Sequence, residues 1–276
     1  MDNALRKLQL TQLEILCKID AVCRKYGIDY SLYAGTLLGA VRHKGFIPWD
    51  DDLDICMTRE NYNRFLSVWQ AENIEGYILQ NKENTPEFTQ SFTKIRKEHT
   101  TFIQEEWEKN RYHTGIFVDI FPYDRMPNGK VQRLEFKLYC AIYQLYTREF
   151  VPPKAHLIVK IVSAIILKLT ARKYRENIRK RLLDRILKHS DNKLLSRVGI
   201  ETLDIASQPC PADLFEEYVG MPFEGNVFMS VKKWDEWLKI QYGDYMQLPP
   251  VEKRTWTHHP IIIDFEHNYD EIEVNS

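Results

Sequence analysis

Cysteine is scarce in this chain and badly spaced for crosslinking or zinc. The five cysteines, Cys17, Cys23, Cys56, Cys140 and Cys210, form no CxxC pair and are odd in number. That argues against both a disulfide framework and a zinc ribbon. Reduced, mostly buried thiols of a cytosolic protein are expected instead. Long apolar runs are missing as well. No stretch reaches the ~18 apolar residues that cross a bilayer, and the nearest, Leu157 to Leu169, is interrupted by Lys160 and Lys168. Met1 to Lys7 leads into an amphipathic pattern, so no secretory leader is expected. Charge of one sign is also lacking. A formal net charge of −1 gives no global pull towards nucleic acid or membrane, so any such pull must be local. There are no internal repeats and no low-complexity linkers.

What is present is a chain of 276 residues, long enough to bury a core without a staple. Leu13, Leu16, Ile19, Val22 and Tyr26 recur at helical steps and Gly27 follows as a stop, which predicts a helix over 4–26. Residues 28–33 read as a strand, and 37–42 as a short helix after an Ala34-Gly35-Thr36 turn. Leu53, Ile55 and Met57 alternate as in a half-buried strand. A helix over 59–72, strands at 77–80 and 92–96, and a buried strand over 115–122 complete an α/β unit. Helical periodicity and basic residues dominate 130–190, with a break at Pro152-Pro153. A mixed tail follows, with a short helix around Trp234, Trp237, Leu238 and Ile240. The expected fold is α/β (α+β) in three stretches: a catalytic core over 1–128, a basic helical region over 129–195, and a C-terminal segment over 196–276 that completes the domain and its substrate site.

The most informative run is Trp49-Asp50-Asp51-Asp52-Leu53-Asp54-Ile55. On a strand, Asp50, Asp52 and Asp54 share one face. Such carboxylates repel unless a cation neutralises them, and hard oxygens suit Mg²⁺, with Mn²⁺ a weaker preference. A divalent ion bound there would clamp a phosphate-bearing group in transfer. A solvated acidic loop is the alternative. Upstream, Gly35 would let the backbone approach a phosphate, and the Thr36 hydroxyl could donate to one. Asp119 interrupts an apolar strand, and a buried acid needs a partner. Metal ligation, general-base work, or a salt bridge to Arg or Lys would each supply one. Asp124 is expected near a turn, where a structural part is the stronger of the two readings.

Basic residues near these motifs are candidate phosphate partners: Arg42 and His43 before the acids, and Lys94 and Arg96 on one strand face. Of the adjacent His258 and His259, at most one is expected in a site, because neighbours on a strand face opposite ways.

The run Tyr33 to His43, followed by Gly45 to Asp54, resembles the LicD family of bacterial phosphocholine transferases, related to the fukutin-type transferases. Phe117 to Pro122, Tyr242 to Met246, Leu248-Pro249-Pro250 and His258-His259 carry the likeness onward, over roughly residues 10–260. The resemblance implies a nucleotidyltransferase-like small mixed sheet flanked by helices. It implies metal binding by Asp52 and Asp54, with Asp50 close by, and Asp119 as base or further ligand. The implied reaction moves phosphocholine from CDP-choline to a sugar hydroxyl of a lipopolysaccharide, teichoic acid or capsule, releasing CMP. A choline group would want aromatic walls, for which Trp49, Tyr33, Trp107, Tyr112 and Trp256 are candidates.

Three rivals share parts of this reading. Another nucleotide-linked group, ribitol phosphate or phosphoethanolamine, could be transferred. A true nucleotidyltransferase would release pyrophosphate. An inactive scaffold of glycan assembly would need no intact acid cluster. Finally, Lys154 to Lys188 holds eleven Lys or Arg and only two acids, after a very apolar start. It reads either as a buried helix followed by a solvated one, or as contact with an anionic membrane, which would suit a lipid-linked acceptor on the cytoplasmic leaflet. No nucleic-acid motif is present.

Overall fold

The computed structural model describes residues 3–104, 112–153, 155–188, 194–197 and 209–272. Trp107 and Lys154, named above, lie outside the described residues.

The elements run α1 (Asn3–Tyr26), β1 (Ser31–Leu32), α2 (Ala34–His43), β2 (Asp54–Thr58), α3 (Arg59–Glu72), β3 (Tyr77–Gln80), β4 (Thr93–Lys97), β5 (Thr101–Gln104) and β6 (Phe117–Met126). They continue with α4 (Lys130–Arg148), α5 (Leu157–Leu169), α6 (Arg172–Ile186), β7 (Leu194–Arg197), β8 (Cys210–Pro211), β9 (Tyr218–Phe223), β10 (Asn226–Val231), α7 (Trp234–Tyr242) and β11 (Pro260–Asp264). The chain forms two compact units: residues 1–80, 93–122 and 213–276 make one, and 81–92 with 123–212 make the other.

The expected small mixed sheet flanked by helices is present. In the first unit its strand order is β1-β2-β6-β4-β3. β6 reads as central because Ile116, Val118 and Ile120 are fully buried. β4 pairs with it antiparallel, setting Lys94 opposite Asp119. α1 buries Leu5, Leu8, Ile15, Leu16, Ile19, Val22 and Cys23, and ends where Gly27 takes φ 58°. α3 starts at Thr58, whose side chain accepts from Asn61 N, and ends at Asn73 in the left-handed region. β9 and β10 form a hairpin whose turn residue Glu224 accepts from Arg6 and from Phe46 N, tying it to α1 and to the loop after α2.

Several boundaries differ from expectation. The strand expected over 28–33 is only Ser31–Leu32, because Tyr33 already caps α2. Gly35 and Thr36 lie in the first turn of that helix, not in a turn before it. The acidic run is not strand from Asp50: β2 begins at Asp54, and Asp50 to Leu53 is an irregular loop. Asp124 lies inside β6 and is 1% exposed, not near a turn. The apolar pattern of β6 continues through Met126 and outlasts Pro122, whose missing N–H does not end the strand.

α1 holds the acidic loop by its backbone. Buried Gln9 donates through Nε2 to the carbonyls of Asp50 (2.9 Å) and Ile47 (3.4 Å). Buried Gln12 donates to the carbonyl of Asp51 at 2.9 Å. An i,i+3 pair on one helix face thus fixes two consecutive peptides of the loop.

In the second unit, residues 123–126 of β6 pair with β7, and β7 with β8. α4 packs on α6 through Phe136, Cys140, Tyr143, Tyr146, Leu182 and Ile186. Arg179 is buried there and paired with Glu176 and Glu83, both at 2.8 Å.

Gln9→Leu would strand the carbonyls of Asp50 and Ile47. It is expected to lower unfolding stability by about 2 kcal/mol, read as a reduced midpoint in urea; an unchanged midpoint would mean that the loop is held by other means.

Candidate active site

The irregular loop brings Asp50, Asp52 and Asp54 together as alternation along the chain predicted, although only Asp54 is on a strand. Asp119 joins them from β6: its N–H donates to the carbonyl of Leu53 at 3.0 Å, which sets the two segments side by side. Asp50, Asp52 and Asp54 sit partly buried. Burial, then the charge of Asp52 and a hydrogen bond with it, pushes the Asp50 carboxyl up to about 8. Burial, followed by the charges of Asp52, Asp119 and Asp50, pushes Asp54 well above the usual range against the pull of Lys94. Burial raises Asp52 as well, with His258 opposing.

Asp119 also makes the salt bridge that was its structural alternative. Lys94 Nζ lies 2.5 Å from its Oδ1, with both side chains buried. Lys94 rests 3.3 Å from the centre of the Phe117 ring, and burial brings it down to about 8 although Asp119 pulls the other way. Arg96, two residues along β4, donates to Gln80 Oε1 and to the Gly115 carbonyl, each at 2.6 Å. Burial lowers it to about 10, and Asp119 acts in the opposite sense. Both cations are therefore turned inward onto protein partners.

Gly35 and Thr36 act on the acids themselves. A Cβ at Gly35 would meet Asp50 Oδ2 at 2.6 Å, so a glycine is required for the carboxylate to rest against the helix. Thr36 is buried, and its hydroxyl oxygen accepts from Asp54 N at 2.8 Å. Ala34, just before them, takes φ 46°, a local strain of roughly 1–3 kcal/mol.

A basic and aromatic cluster adjoins Asp50. Arg42 donates to His43 Nε2 and to the Tyr245 carbonyl. Burial and the neighbouring Arg254 charge lower Arg42, and Asp50 raises it. Burial and Arg42 lower His43, whose ring meets Trp49 edge-on. The guanidinium of Arg254 lies over the Trp49 ring at 5.3 Å. Of the other aromatics named from sequence, Tyr33 is 5% exposed and packed on Phe121 and Trp237, while Tyr112 and Trp256 are partly buried.

Asp51 is fully buried and turned onto the segment that carries His258. It accepts from Thr257 N (3.1 Å), His258 N (2.8 Å) and His258 Nδ1 (3.2 Å). Burial opposes its ionisation, but these bonds and the His258 charge hold it below its usual value. His258 Nδ1 is also 3.9 Å from Asp52 Oδ2. Burial lowers the imidazole, yet Asp51 and Asp52 outweigh that and raise it. His259 is exposed, so one histidine of the pair joins the site. Donor atoms of Asp51, Asp52 and His258 lie within 4.8 Å of one another. Because Asp51 is already engaged by three N–H donors, Asp52 is the member of that trio with acceptor capacity to spare.

Asp51, Arg254, Tyr242, Gln9 and Gln12 were not picked out from sequence. Tyr242 lies at the end of α7 and is 44% exposed as a residue, while loss of water at its hydroxyl and then the charges of Tyr33, Asp54, Asp50 and Asp52 push that group upward. Asp51 and Tyr242 lie in runs that the sequence marks, but no local pattern gives their side chains a part in the site. Asp51 sits in the acid run, and its partners are 206 and 207 residues away.

The family model described as LicD/FKTN/FKRP, nucleotidyltransferase domain, matches residues 27–155. A protein of Haemophilus influenzae named lipopolysaccharide cholinephosphotransferase LicD is 32% identical over 267 residues, covering 90% of this chain and 93% of its own length. The chain belongs to the LicD family. It is accordingly an enzyme, a transferase acting on phosphate-containing groups. Two uncharacterised proteins are also similar: one of Rickettsia prowazekii, 27% identical over 50% of this chain and 59% of its own, and one of Rickettsia typhi, 35% identical over 28% and 25%. The family match spans the acid loop, Lys94 and Asp119, whereas His258, Tyr242 and Arg254 lie beyond it.

Raised carboxyl values mean that the folded, metal-free chain retains protons that the unfolded chain has released. Its stability therefore falls as pH rises from about 4, the unfolded carboxyl value, towards the value near 8 at Asp50. Asp54→Asn removes part of this repulsion. In chelator it is expected to unfold at least ~2 °C above wild type at pH 8, with the gap closing near pH 4; a variant melting below wild type at pH 8 would contradict the reading.

Proposed function

We propose that this enzyme transfers phosphocholine from CDP-choline to a sugar hydroxyl of a surface glycan, lipopolysaccharide before teichoic acid or capsule, and releases CMP. The observation that carries the reaction class is the convergence of Asp50, Asp52, Asp54 and Asp119 beside Lys94. The choice of choline rests on the Haemophilus relative's name and on its near full-length likeness.

The donor set is all carboxylate, half-buried and mutually repelling, which fits Mg²⁺, with Mn²⁺ as a substitute. Asp52 and Asp54 would hold the ion, with Asp50 adjacent, and it would supply charge stabilisation to the donor phosphates. Thr36 fixes the backbone of Asp54, and Gly35 leaves room for Asp50. Asp51 orients His258 towards Asp52, where the imidazole can contact a phosphate oxygen. Arg42, near Asp50, and Arg254, near Arg42 and over the Trp49 ring, are further candidate phosphate partners. Lys94 engages one oxygen of Asp119, and the other is our candidate acceptor of the sugar hydroxyl proton. The sugar oxygen then bonds to the choline-bearing phosphorus as the bridging phosphoanhydride bond breaks and CMP departs with its electron pair. Tyr242, near the acids, is our candidate wall for the quaternary ammonium. A cytoplasmic-side location, with contact to an anionic membrane through residues 154–188, goes with a lipid-carried acceptor.

The test is CMP release from CDP-choline with Mg²⁺ and a lipid-linked glycan fraction. Acceptor-dependent release is expected from wild type, and Asp52→Ala/Asp54→Ala should reduce it by at least about 100-fold. Mg²⁺ should raise the melting temperature of wild type and leave that of the double variant unchanged. Pyrophosphate in place of CMP would turn the reading to nucleotidyl transfer, and release from another CDP-linked group alone would replace choline.

A further inference from the structure

α5 has two faces of opposite character. Ser163 is buried, and Ile166 and Leu167 pack against the core formed by α4 and α6. On the other side Leu157 (73% exposed), Ile158 (75%), Ile161 (50%), Val162 (49%), Ile165 (50%) and Leu169 (81%) face outward. At ~100° per residue these six occupy one arc of about 140°, with exposed Lys168 near one edge of it. A soluble helix normally turns such a stripe to the core. Here the core side is already supplied, and a second apolar stripe is left over.

We propose that this outward face of α5, with the basic residues that follow it on α6, docks in the surface of an anionic lipid bilayer. The helix is ~20 Å long at 1.5 Å per residue, short of the ~30 Å hydrocarbon core, and no described helix is long and apolar enough to cross a membrane. It therefore lies along the interface, with its apolar arc among the acyl chains. The surrounding charge selects the lipid. Lys160 and Lys168 are on α5, which carries no acid, and Arg172, Lys173, Lys180, Arg181 and Arg185 on α6 outnumber Glu176 and Asp184. Each Lys or Arg held near an anionic leaflet adds to the attraction. Exposed Phe150 and Tyr174 flank the helix, a composition suited to the headgroup level. A second copy of the chain fits less well, because a twofold contact through this face would bring like charges together and bury lysines, which protein interfaces disfavour.

The docking surface stands whether or not the transferred group is phosphocholine, and its test needs no donor or acceptor. The full chain is sedimented with vesicles of phosphatidylcholine alone and with vesicles containing about 30% phosphatidylglycerol. Binding to the anionic vesicles is expected, weakened by salt and at least tenfold weaker to phosphatidylcholine alone. Ile158→Ser/Ile161→Ser/Ile165→Ser should lower the affinity at least tenfold with an unchanged melting temperature, since all three side chains are exposed. Lys173→Glu/Lys180→Glu should lower it for anionic vesicles only. No sedimentation of wild type, or equal sedimentation of wild type and the isoleucine variant, would overturn the proposal. So would self-association in solution, lost in that variant, without vesicle binding.

Discussion

Mutual repulsion among carboxylates that water cannot fully screen is the constraint around which the first unit is organised. Asp50 and Asp52 come from one short loop, Asp54 from the start of β2, and Asp119 from β6. Each raises the cost of ionising a neighbour, and burial adds to that cost. Lys94 offsets a single charge and is bound to Asp119. The loop is therefore held in an arrangement that its own side chains oppose, and other parts of the fold must supply the restraint.

The restraint is mostly backbone. Gln9 and Gln12 of α1 hold the carbonyls of Asp50 and Asp51, Thr36 of α2 holds the N–H of Asp54, and the carbonyl of Leu53 receives Asp119 N. Asp51 fastens the C-terminal segment to the same loop through Thr257 and His258. Side chains that repel are thus fixed through peptides that do not. This is electrostatic preorganisation: the energetic cost is met in folding and not at the moment of reaction.

Such a site defines a class of chemistry more closely than a substrate. Clustered acids beside a cationic rim serve many transfers of phosphate-bearing groups, and the fold alone does not choose among them. Membership of the LicD family narrows the choice, and Tyr242, the proposed wall for the transferred group, comes from the C-terminal segment and not from the acid loop.

Local patterns in the sequence determined the helices α1, α3, α4 and α7, the strands β3, β4 and β6, the acid cluster, and the family through the run from Tyr33 to Asp54. These are legible because periodicity and charge alternation act over a few residues. They also predicted that Asp50, Asp52 and Asp54 would converge, since alternation survives even where the strand does not form. Only the tertiary structure decided that Lys94 and Arg96 turn inward to Asp119, Gln80 and Gly115, that Gly35 makes room for Asp50, and that Asp51 faces His258. It alone left the outer arc of α5 uncovered, where the sequence read equally as a buried helix. The physical reason is common to all of these. Burial and pairing are set by what packs from distant parts of the chain, and a residue's own neighbours in sequence carry no record of it.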